Sequence, residues 1–470
     1  MSSLKSAVIH KTPVTPPLAV TAKGIRIYIE DGREIIDAIG GAAVACIGSG
    51  HPKVVEAICE QAKKLQYTFH PQLTNEPTEL LSTYVTTKTG TDVFAYMGFA
   101  AGGTEAVESA IKTARQYFYE QGQTQRVHFI GREVSYHGAS YGTIALAYNT
   151  ARRAPYEGQL DTKTFHHVGS CHYKRFKTEG ESSEKFIERR RQELEAKFLE
   201  LGPDTVIAYV AETIVGASSG VVLPPTGYYA AMKSVCDKYG ALLIYDEVMC
   251  GMGRSGHYHA WQALNEPAPD IQAIAKGLGA GYAPIGAILA SKKVIDGMRA
   301  GPGVWQHGYT YQAHPISSAA SLAVQQVIAE EGLLANIQKQ GALLGRLLEE
   351  GLYSRRYVKP FVFDIRGVGG FWAVEFDSSA TINNVEVTLA LGGKRLGPLI
   401  EAKCMQQGNM MIFGMSGGGS LDGTVGDHCM FAPAFNVTED EIRLIADIFV
   451  NAVESVIDAG VTETAKAVFA

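Results

Sequence analysis

Short runs of β-branched and apolar residues alternate with segments of helical periodicity between about residues 75 and 330. The clearest runs are 126–130, 205–211, 241–248 and 285–291. Strands that alternate with helices favour a mostly parallel sheet, because each helix carries the chain back to the edge where the preceding strand began. Helices then cover both faces of the sheet. We therefore predict an α/β fold with a large domain built on a mostly parallel sheet covered by helices.

Different patterns flank this region. Residues 24–50 alternate apolar and polar residues and predict a small sheet with a hairpin at Asp31-Gly32. After about residue 330, a helical segment and a strand precede a last helix, which opens with a T-x-x-E capping box at Thr438 and closes at Gly460. We predict that residues 1–70 and 331–470 form a smaller α+β domain from both chain ends. The large domain spans 71–330.

Composition excludes several classes of function. Forty-two basic and forty-eight acidic residues give a net charge of −6, so no general field attracts nucleic acid or an anionic membrane. The seven cysteines contain no C-x-x-C pair, which argues against a disulfide framework and a zinc site; no metal site is predicted. No apolar run is long enough for a transmembrane helix, and the N-terminus lacks the pattern of a signal peptide. We expect a cytoplasmic protein.

Glycines lead directly into a predicted amphipathic helix within residues 99–118. The backbone N–H groups of Gly103 and Thr104 would point outward at the positive end of the helix dipole, where small residues let an anion approach. Phosphate is the natural ligand of such a site. Because the spacing matches neither a Walker loop nor G-x-G-x-x-G, an ordinary glycine-rich helix start is the alternative.

Two ionisable residues stand in unusual surroundings. Asp246 comes where the apolar strand 241–248 ends, and a carboxylate there is costly unless a cation or a hydrogen-bond donor, such as a protonated ring nitrogen, faces it. Lys276 lies between an apolar run and three glycines, which predicts a lowered pKa and the neutral amine that Schiff-base chemistry needs. A structural carboxylate and a snorkelling surface lysine are the respective alternatives.

One cofactor combines a phosphate, a ring nitrogen and an aldehyde carbon, namely pyridoxal 5'-phosphate. Its phosphate would lie on Gly103 and Thr104, its ring nitrogen on Asp246, and its aldehyde carbon would form an imine with Lys276. Tyr136, which follows the strand 126–130, would lay its ring against the cofactor ring, although a core tyrosine is the alternative.

A competing motif is present. Residues 251–256 spell G-x-G-x-x-G after a strand, and Asp270 stands near the position that a ribose-binding acid would take. However, five residues, including two acids, separate the strand core from the first glycine, and Pro267 and Pro269 interrupt the segment that follows. We predict that this motif does not bind a dinucleotide.

The sequence resembles the class III aminotransferases, the ω-aminotransferase branch of the pyridoxal-phosphate-dependent fold type I enzymes. The most specific part is LLIYDEVMCGMGRSG followed by PDIQAIAKGLGAGYAPIGA, with the aspartate thirty positions before the lysine. The resemblance implies transfer of an amino group from an amine or amino acid donor to a keto acid, by a ping-pong mechanism through a Lys276 aldimine. A lyase, decarboxylase or mutase of the same fold is the alternative.

The resemblance also implies the roles of individual residues. Lys276, Asp246 and Glu212 would be catalytic. The residues that would bind the cofactor are Gly102, Gly103, Thr104, Tyr136, His137, Asp246, Val248, Lys276 and Thr310. Thr310 would reach the cofactor of the neighbouring subunit, which implies a homodimer or a dimer of dimers.

Two departures from the family pattern concern ligand binding. Gly102 stands where a serine is usual, so a hydroxyl ligand is lost and backbone donors carry more of the binding. Many relatives carry an arginine that grips a substrate carboxylate, but this chain has none between Arg395 and Arg443. Its absence favours donors without an α-carboxylate, whereas Arg153 or Arg366 would be able to replace it. The identity of the donor and acceptor is not predicted.

Overall fold

The computed structural model describes residues 6–469. Its strands are β1 Ala19–Lys23, β2 Arg26–Ile29, β3 Glu34–Asp37, β4 Tyr96–Ala100, β5 His128–Arg132, β6 Phe165–Val168, β7 Val206–Glu212, β8 Leu242–Asp246, β9 Ile271–Ile274, β10 Gly286–Ala290, β11 Val362–Val368, β12 Phe371–Phe376, β13 Ser379–Ile382, β14 Val385–Thr388, β15 Met410–Met411, β16 Phe413–Met415 and β17 Asp427–Phe431. Its α-helices are α1 Gly40–Ala43, α2 Pro52–Lys64, α3 Glu76–Thr89, α4 Gly103–Glu120, α5 Tyr141–Leu146, α6 Thr150–Arg153, α7 Tyr173–Phe176, α8 Ser183–Leu201, α9 Tyr228–Tyr239, α10 Ala260–Ala263, α11 Lys292–Met298, α12 Pro315–Glu330, α13 Leu333–Tyr353, α14 Leu396–Gly408, α15 Glu439–Gly460 and α16 Glu463–Val468.

The large sheet has seven strands in the order β4-β10-β9-β8-β7-β5-β6. Strands β6, β5, β7, β8 and β9 run parallel to one another, which confirms the predicted mostly parallel sheet. The strand predicted at 285–291 is present as β10, but it runs antiparallel to both β9 and β4. At the carboxyl ends of the parallel strands, Glu212 of β7 lies opposite Asp246 of β8.

Helices cover both faces of this sheet. On one face, the apolar side of α4 packs on the sheet through residues such as Ala106, Val107 and Ala110. On the other face, Met232 and Val235 of α9 pack with residues of α8. The α/β architecture predicted from the sequence is therefore the observed one.

The two chain ends meet in smaller sheets. The predicted hairpin is formed by β2 and β3, and β15 pairs in parallel with β3. A second sheet has the order β11-β12-β17-β16, and α13 and α15 contribute to the same core. The division of the chain after residues 70 and 330 stays a prediction.

Helix α15 opens with the predicted capping box at Thr438, and Gly460 is its last residue. It is not the last helix, because Thr462 caps a further short helix, α16, by accepting a hydrogen bond from the Ala465 N–H. Within residues 6–469, no helix has the length and hydropathy that crossing a membrane requires.

Candidate active site

A cavity of about 640 Å³ lies at the carboxyl ends of the parallel strands β7, β8 and β9. This edge is where open α/β sheets bind ligands. The predicted residues that line the cavity are Gly102, Gly103, Thr104, Tyr136, His137, Glu212, Asp246, Val248 and Lys276. Thr310 is the predicted residue that does not line it.

The start of α4 forms one wall of the cavity. Gly102 is the N-cap residue, and no side chain caps the helix there. The first N–H groups of a helix have no partner within the helix, so this end is open to an anion. A Cβ atom at Gly103 would lie 2.6 Å from Val248 Cγ1, whereas one at Gly102 would meet nothing within 4 Å. Glycine at position 103 is therefore what lets Val248 pack against the helix start.

Asp246 is buried at the end of β8, with 5% of its surface exposed. His137, also buried, donates from Nδ1 to Asp246 Oδ2 over 2.8 Å, and the Val248 N–H donates to Asp246 Oδ1 over 3.0 Å. Nε2 of His137 is buried and has no hydrogen-bond partner within residues 6–469. Asp246 is thus a carboxylate held in a fixed orientation at the cavity wall.

Lys276 follows β9 by two residues and begins a short 3₁₀ turn, Lys276–Leu278. Its φ of +31° places a non-glycine residue in the left-handed region, which is a strained conformation typical of functional sites. Burial lowers the pKa of the Lys276 amine to about 8, although Asp246 and Glu212 act in the opposite direction. A large fraction of the amine is therefore neutral, and nucleophilic, near pH 8.

Glu212 is buried at the end of β7, and burial raises the pKa of its carboxyl group. Its two oxygens accept hydrogen bonds from the backbone N–H groups of Tyr136 and Gly216, each over 2.9 Å. The carboxylate thereby ties the loop that carries Tyr136 to the end of β7.

Thr310 is exposed on the loop between α11 and α12, outside the cavity of its own chain. Tyr67 Oη donates a hydrogen bond to the Thr310 carbonyl over 2.9 Å. Two large apolar side chains close in sequence to this pair are also exposed: Tyr311, next to Thr310, is 63% accessible, and Phe69, two residues after Tyr67, is 50% accessible.

Neither arginine proposed from the sequence as a substitute carboxylate ligand lines the cavity. Arg153 donates to the Ala147 carbonyl over 2.8 Å and to Glu157. Arg366 donates to the Ser219 carbonyl over 2.6 Å and to Glu375 over 2.6 Å. The cavity instead contains two cations that sequence analysis missed, Arg152 and Lys11.

The G-x-G-x-x-G segment, residues 251–256, is buried throughout. Arg254 is 1% exposed and donates to the carbonyls of Pro433 and Gly370 over 2.6 and 3.2 Å. A Cβ atom at Gly253 would lie 2.7 Å from the Phe435 ring. These glycines serve close packing against the C-terminal region, and their surroundings leave no open face for a dinucleotide.

The residues around the cavity fit pyridoxal 5'-phosphate. The uncapped start of α4 suits a phosphate, the Lys276 amine suits an aldehyde, and Asp246 suits a protonated ring nitrogen. Together with the seven-stranded sheet, they define a fold type I enzyme that depends on this cofactor.

Comparison with known proteins agrees with this class. A family model described as "Aminotransferase class-III" matches residues 9–453. An aminotransferase of Gibberella zeae is 39% identical over 93% of this chain and 84% of its own length. An uncharacterized aminotransferase of Schizosaccharomyces pombe is 37% identical over 97% of both chains. The structure of an amine transaminase from an uncultivated Pseudomonas species, in its pyridoxal-phosphate-bound form, covers 97% of this chain with a TM-score of 0.84 and 28% identity.

The chain belongs to the class III aminotransferase family. It is a pyridoxal-5'-phosphate-dependent aminotransferase, which moves an amino group from an amine or amino acid to a keto acid.

Proposed function

We propose that Lys276 binds the cofactor covalently and is also the base that moves the proton during amino transfer. The observation that carries this proposal is the Lys276 amine, with its pKa lowered to about 8, in one cavity with Asp246 and the open start of α4. When bound, pyridoxal 5'-phosphate supplies an electron sink for the charge that develops at the substrate Cα. The Lys276 amine, once freed by the donor amine, would be the base that takes the proton from the substrate Cα and would return it to the cofactor.

Asp246 holds the proton at the ring nitrogen of the cofactor. A carboxylate that accepts hydrogen bonds from His137 and from the Val248 N–H has a fixed orientation in the wall of the cavity. His137 acts through Asp246 as a positioning residue, because its Nδ1–H restrains the Oδ2 atom.

The N–H groups at Gly102, Gly103 and Thr104 bind the phosphate, and Val248 packs beside them. The lack of a side-chain cap at Gly102 and the close approach of Val248 to Gly103 support this role. Tyr136 supplies a ring to the cavity wall, and Glu212 is assigned to hold it there through the Tyr136 N–H.

Replacement of the lysine tests the central assignment. Lys276→Ala is expected to abolish turnover, and borohydride reduction followed by peptide mass spectrometry is expected to find the cofactor on residue 276 of the native protein only. Lys53→Ala is the matched control, because Lys53 is an exposed lysine that pairs with Glu330 outside the cavity. Wild-type turnover in the Lys276→Ala protein, or cofactor attached to a different lysine, would refute the assignment.

We propose further that the enzyme is a homodimer in which Thr310 completes the cofactor site of the partner subunit. Three observations support an interface at this surface: Thr310 is exposed outside its own cavity, Tyr67 donates a hydrogen bond to its carbonyl, and the neighbouring Tyr311 is exposed.

A mixed dimer tests this arrangement. Lys276→Ala and Thr310→Ala subunits, co-expressed with different tags, would form one site with both native residues if Thr310 acts on its partner. We expect the mixed dimer to regain about half of the wild-type activity per dimer, whereas it would stay as weak as its parents if Thr310 acts within its own subunit. A monomer by light scattering would refute the proposal.

A cytoplasmic location is the third element of the proposal. All seven cysteines carry free thiols, and all of them except Cys59 are buried. Unpaired thiols are typical of a reducing compartment. Detection of the protein by cell fractionation in the cytosolic fraction would support this location, and its recovery with an organelle fraction would refute it.

A further inference from the structure

The wall of the active-site cavity carries a cationic side chain, Arg152, to which the proposed function assigns no role. Arg152, on the short helix α6, lines the cavity, and its guanidinium lies 4.5 Å from the centre of the Tyr136 ring. Within residues 6–469, the guanidinium has no acidic partner and donates no hydrogen bond. Its five N–H donors are therefore free to meet a ligand.

The backbone that carries Arg152 is anchored by hydrogen bonds. The Asn149 side chain accepts a hydrogen bond from the Arg152 N–H over 3.2 Å, and the neighbouring Arg153 is buried and anchored to backbone carbonyls. Thr150 Oγ1 donates to the Leu421 carbonyl over 2.7 Å, which ties α6 to a C-terminal loop. These contacts anchor the backbone of α6, and stacking on the Tyr136 ring places the exposed guanidinium of Arg152 at the cavity wall.

The other cations of the cavity are less suited to recognise a substrate. Lys276 is committed to the cofactor under the proposed function. Lys11 belongs to an N-terminal segment without helix or strand, and an ammonium group binds carboxylates as a point charge. The planar guanidinium of Arg152 matches a carboxylate with two parallel hydrogen bonds.

We propose that Arg152 binds the carboxylate of the substrate, and that it takes the place of the arginine that is missing between Arg395 and Arg443. This inference rests on the proposed function, because it places the reacting carbon between Arg152 and Lys276. It assigns the residue that recognises the carboxylate of a keto acid or an amino acid in the cavity. The expectation that the missing arginine favours donors without an α-carboxylate is thereby replaced.

A pair of carbonyl compounds tests the proposal. The aminated form of the holoenzyme is mixed with pyruvate or with acetaldehyde, which lacks the carboxylate, and the return of the visible cofactor band is followed in a single turnover. Arg152→Gln is expected to raise the half-saturating concentration of pyruvate about 10- to 100-fold, as for the loss of a charge-assisted hydrogen bond. The half-saturating concentration of acetaldehyde is expected to change less than about twofold. For Arg152→Lys, the half-saturating concentration of pyruvate is expected to lie between those of the wild type and Arg152→Gln.

Arg356→Gln is the matched control, because Arg356 is exposed and lies 6.0 Å from the centre of the Tyr357 ring, outside the cavity. It is expected to change neither value. A second measurement, of the melting temperature, does not depend on turnover. The carboxylate 3-phenylpropanoate is expected to raise the melting temperature of the wild type more than that of Arg152→Gln. The alcohol 3-phenylpropan-1-ol, which lacks the carboxylate, is expected to shift the melting temperatures of both proteins equally.

Equal effects of Arg152→Gln on pyruvate and acetaldehyde, or an unchanged response to pyruvate, would overturn the assignment of Arg152. Borohydride labelling of Lys276 in the same preparation reports separately on the proposed function. If Lys276 is labelled and pyruvate is bound without Arg152, the inference alone fails; if Lys276 is not labelled, the proposed function fails.

Discussion

The Nδ1 atom of His137 lies 2.8 Å from Oδ2 of Asp246, and both side chains are buried at the carboxyl end of β8. A buried carboxylate that loses a hydrogen-bond donor keeps its desolvation cost without compensation. The orientation of Asp246 therefore depends on a residue more than a hundred positions away in the sequence.

Substitution of His137 tests this dependence. His137→Phe is expected to lower the free energy of unfolding by about 1–3 kcal/mol and to reduce kcat more than it changes KM. His137→Asn is expected to recover most of both losses, because the asparagine amide nitrogen takes nearly the place of Nδ1. Chemical unfolding and steady-state kinetics measure the two effects, and equal kcat values for the Phe and Asn variants would contradict the positioning role.

The lowered pKa of Lys276 predicts how cofactor uptake depends on pH. Below pH 8 the amine is mostly protonated, so the rate of covalent uptake of pyridoxal 5'-phosphate by the apoprotein is expected to rise about tenfold per pH unit and to level off above about pH 8. Stopped-flow absorbance measures this rate. A rate that keeps rising to pH 10 would show that the pKa of Lys276 is not lowered and would contradict this prediction.

The same pKa affects the stability of the apoprotein. The folded state holds the Lys276 proton more weakly than the unfolded chain, whose lysine pKa is about 10.4, so protonation favours unfolding. The contribution of Lys276 is fully unfavourable below about pH 8 and is relieved as the pH rises towards 10.4. Lys276→Met is expected to remove this dependence, which urea unfolding of both apoproteins at pH 7 and pH 9.5 measures by difference.

The two glycines at the start of α4 are expected to respond differently to substitution. Gly102 has extended backbone angles and open space around its Cβ position, so Gly102→Ser is expected to be tolerated and to tighten cofactor binding by adding a hydroxyl ligand. Gly103→Ala is expected to weaken binding about tenfold or more, because the new Cβ displaces Val248. Equilibrium titration with the cofactor distinguishes the two; Gly102→Ala, which adds no hydroxyl, is the control.

Arg254 tests the interpretation of the 251–256 segment. Arg254→Met leaves the buried carbonyls of Pro433 and Gly370 without this donor and is expected to lower the free energy of unfolding by about 2–5 kcal/mol. Differential scanning calorimetry measures the loss. NAD at millimolar concentration is expected to leave the melting temperature of the wild type unchanged, and a saturable rise would restore the dinucleotide interpretation.

The sequence predicts best what is encoded locally. Asp246 and Lys276 stand directly at or after strand ends, so their place at one edge of a parallel sheet follows from the alternation of strands and helices. The helix start at Gly103 follows from glycines that precede an amphipathic period. In both cases, a short segment contains the whole signal.

What the sequence does not predict depends on distant partners. The direction of β10 has no local signal, because a fully buried strand has the same apolar composition in parallel and antiparallel pairing. Arg152 and Arg153 are adjacent, yet one lines the cavity and the other is buried among carbonyls, since the irregular chain around α6 decides which side each faces. No periodicity in that segment distinguishes them.

The parallel pairing of β3 with β15 has a consequence for synthesis of the protein on the ribosome. Residues 34–37 leave the exit tunnel early, but their partner, residues 410–411, follows only after most of the chain has been translated. Until then, the nascent chain presents an unpaired sheet edge. Phe413, which lines the cavity, emerges just as late. Chains that stop short of residue 410 therefore lack both the parallel partner of β3 and one wall of the cavity.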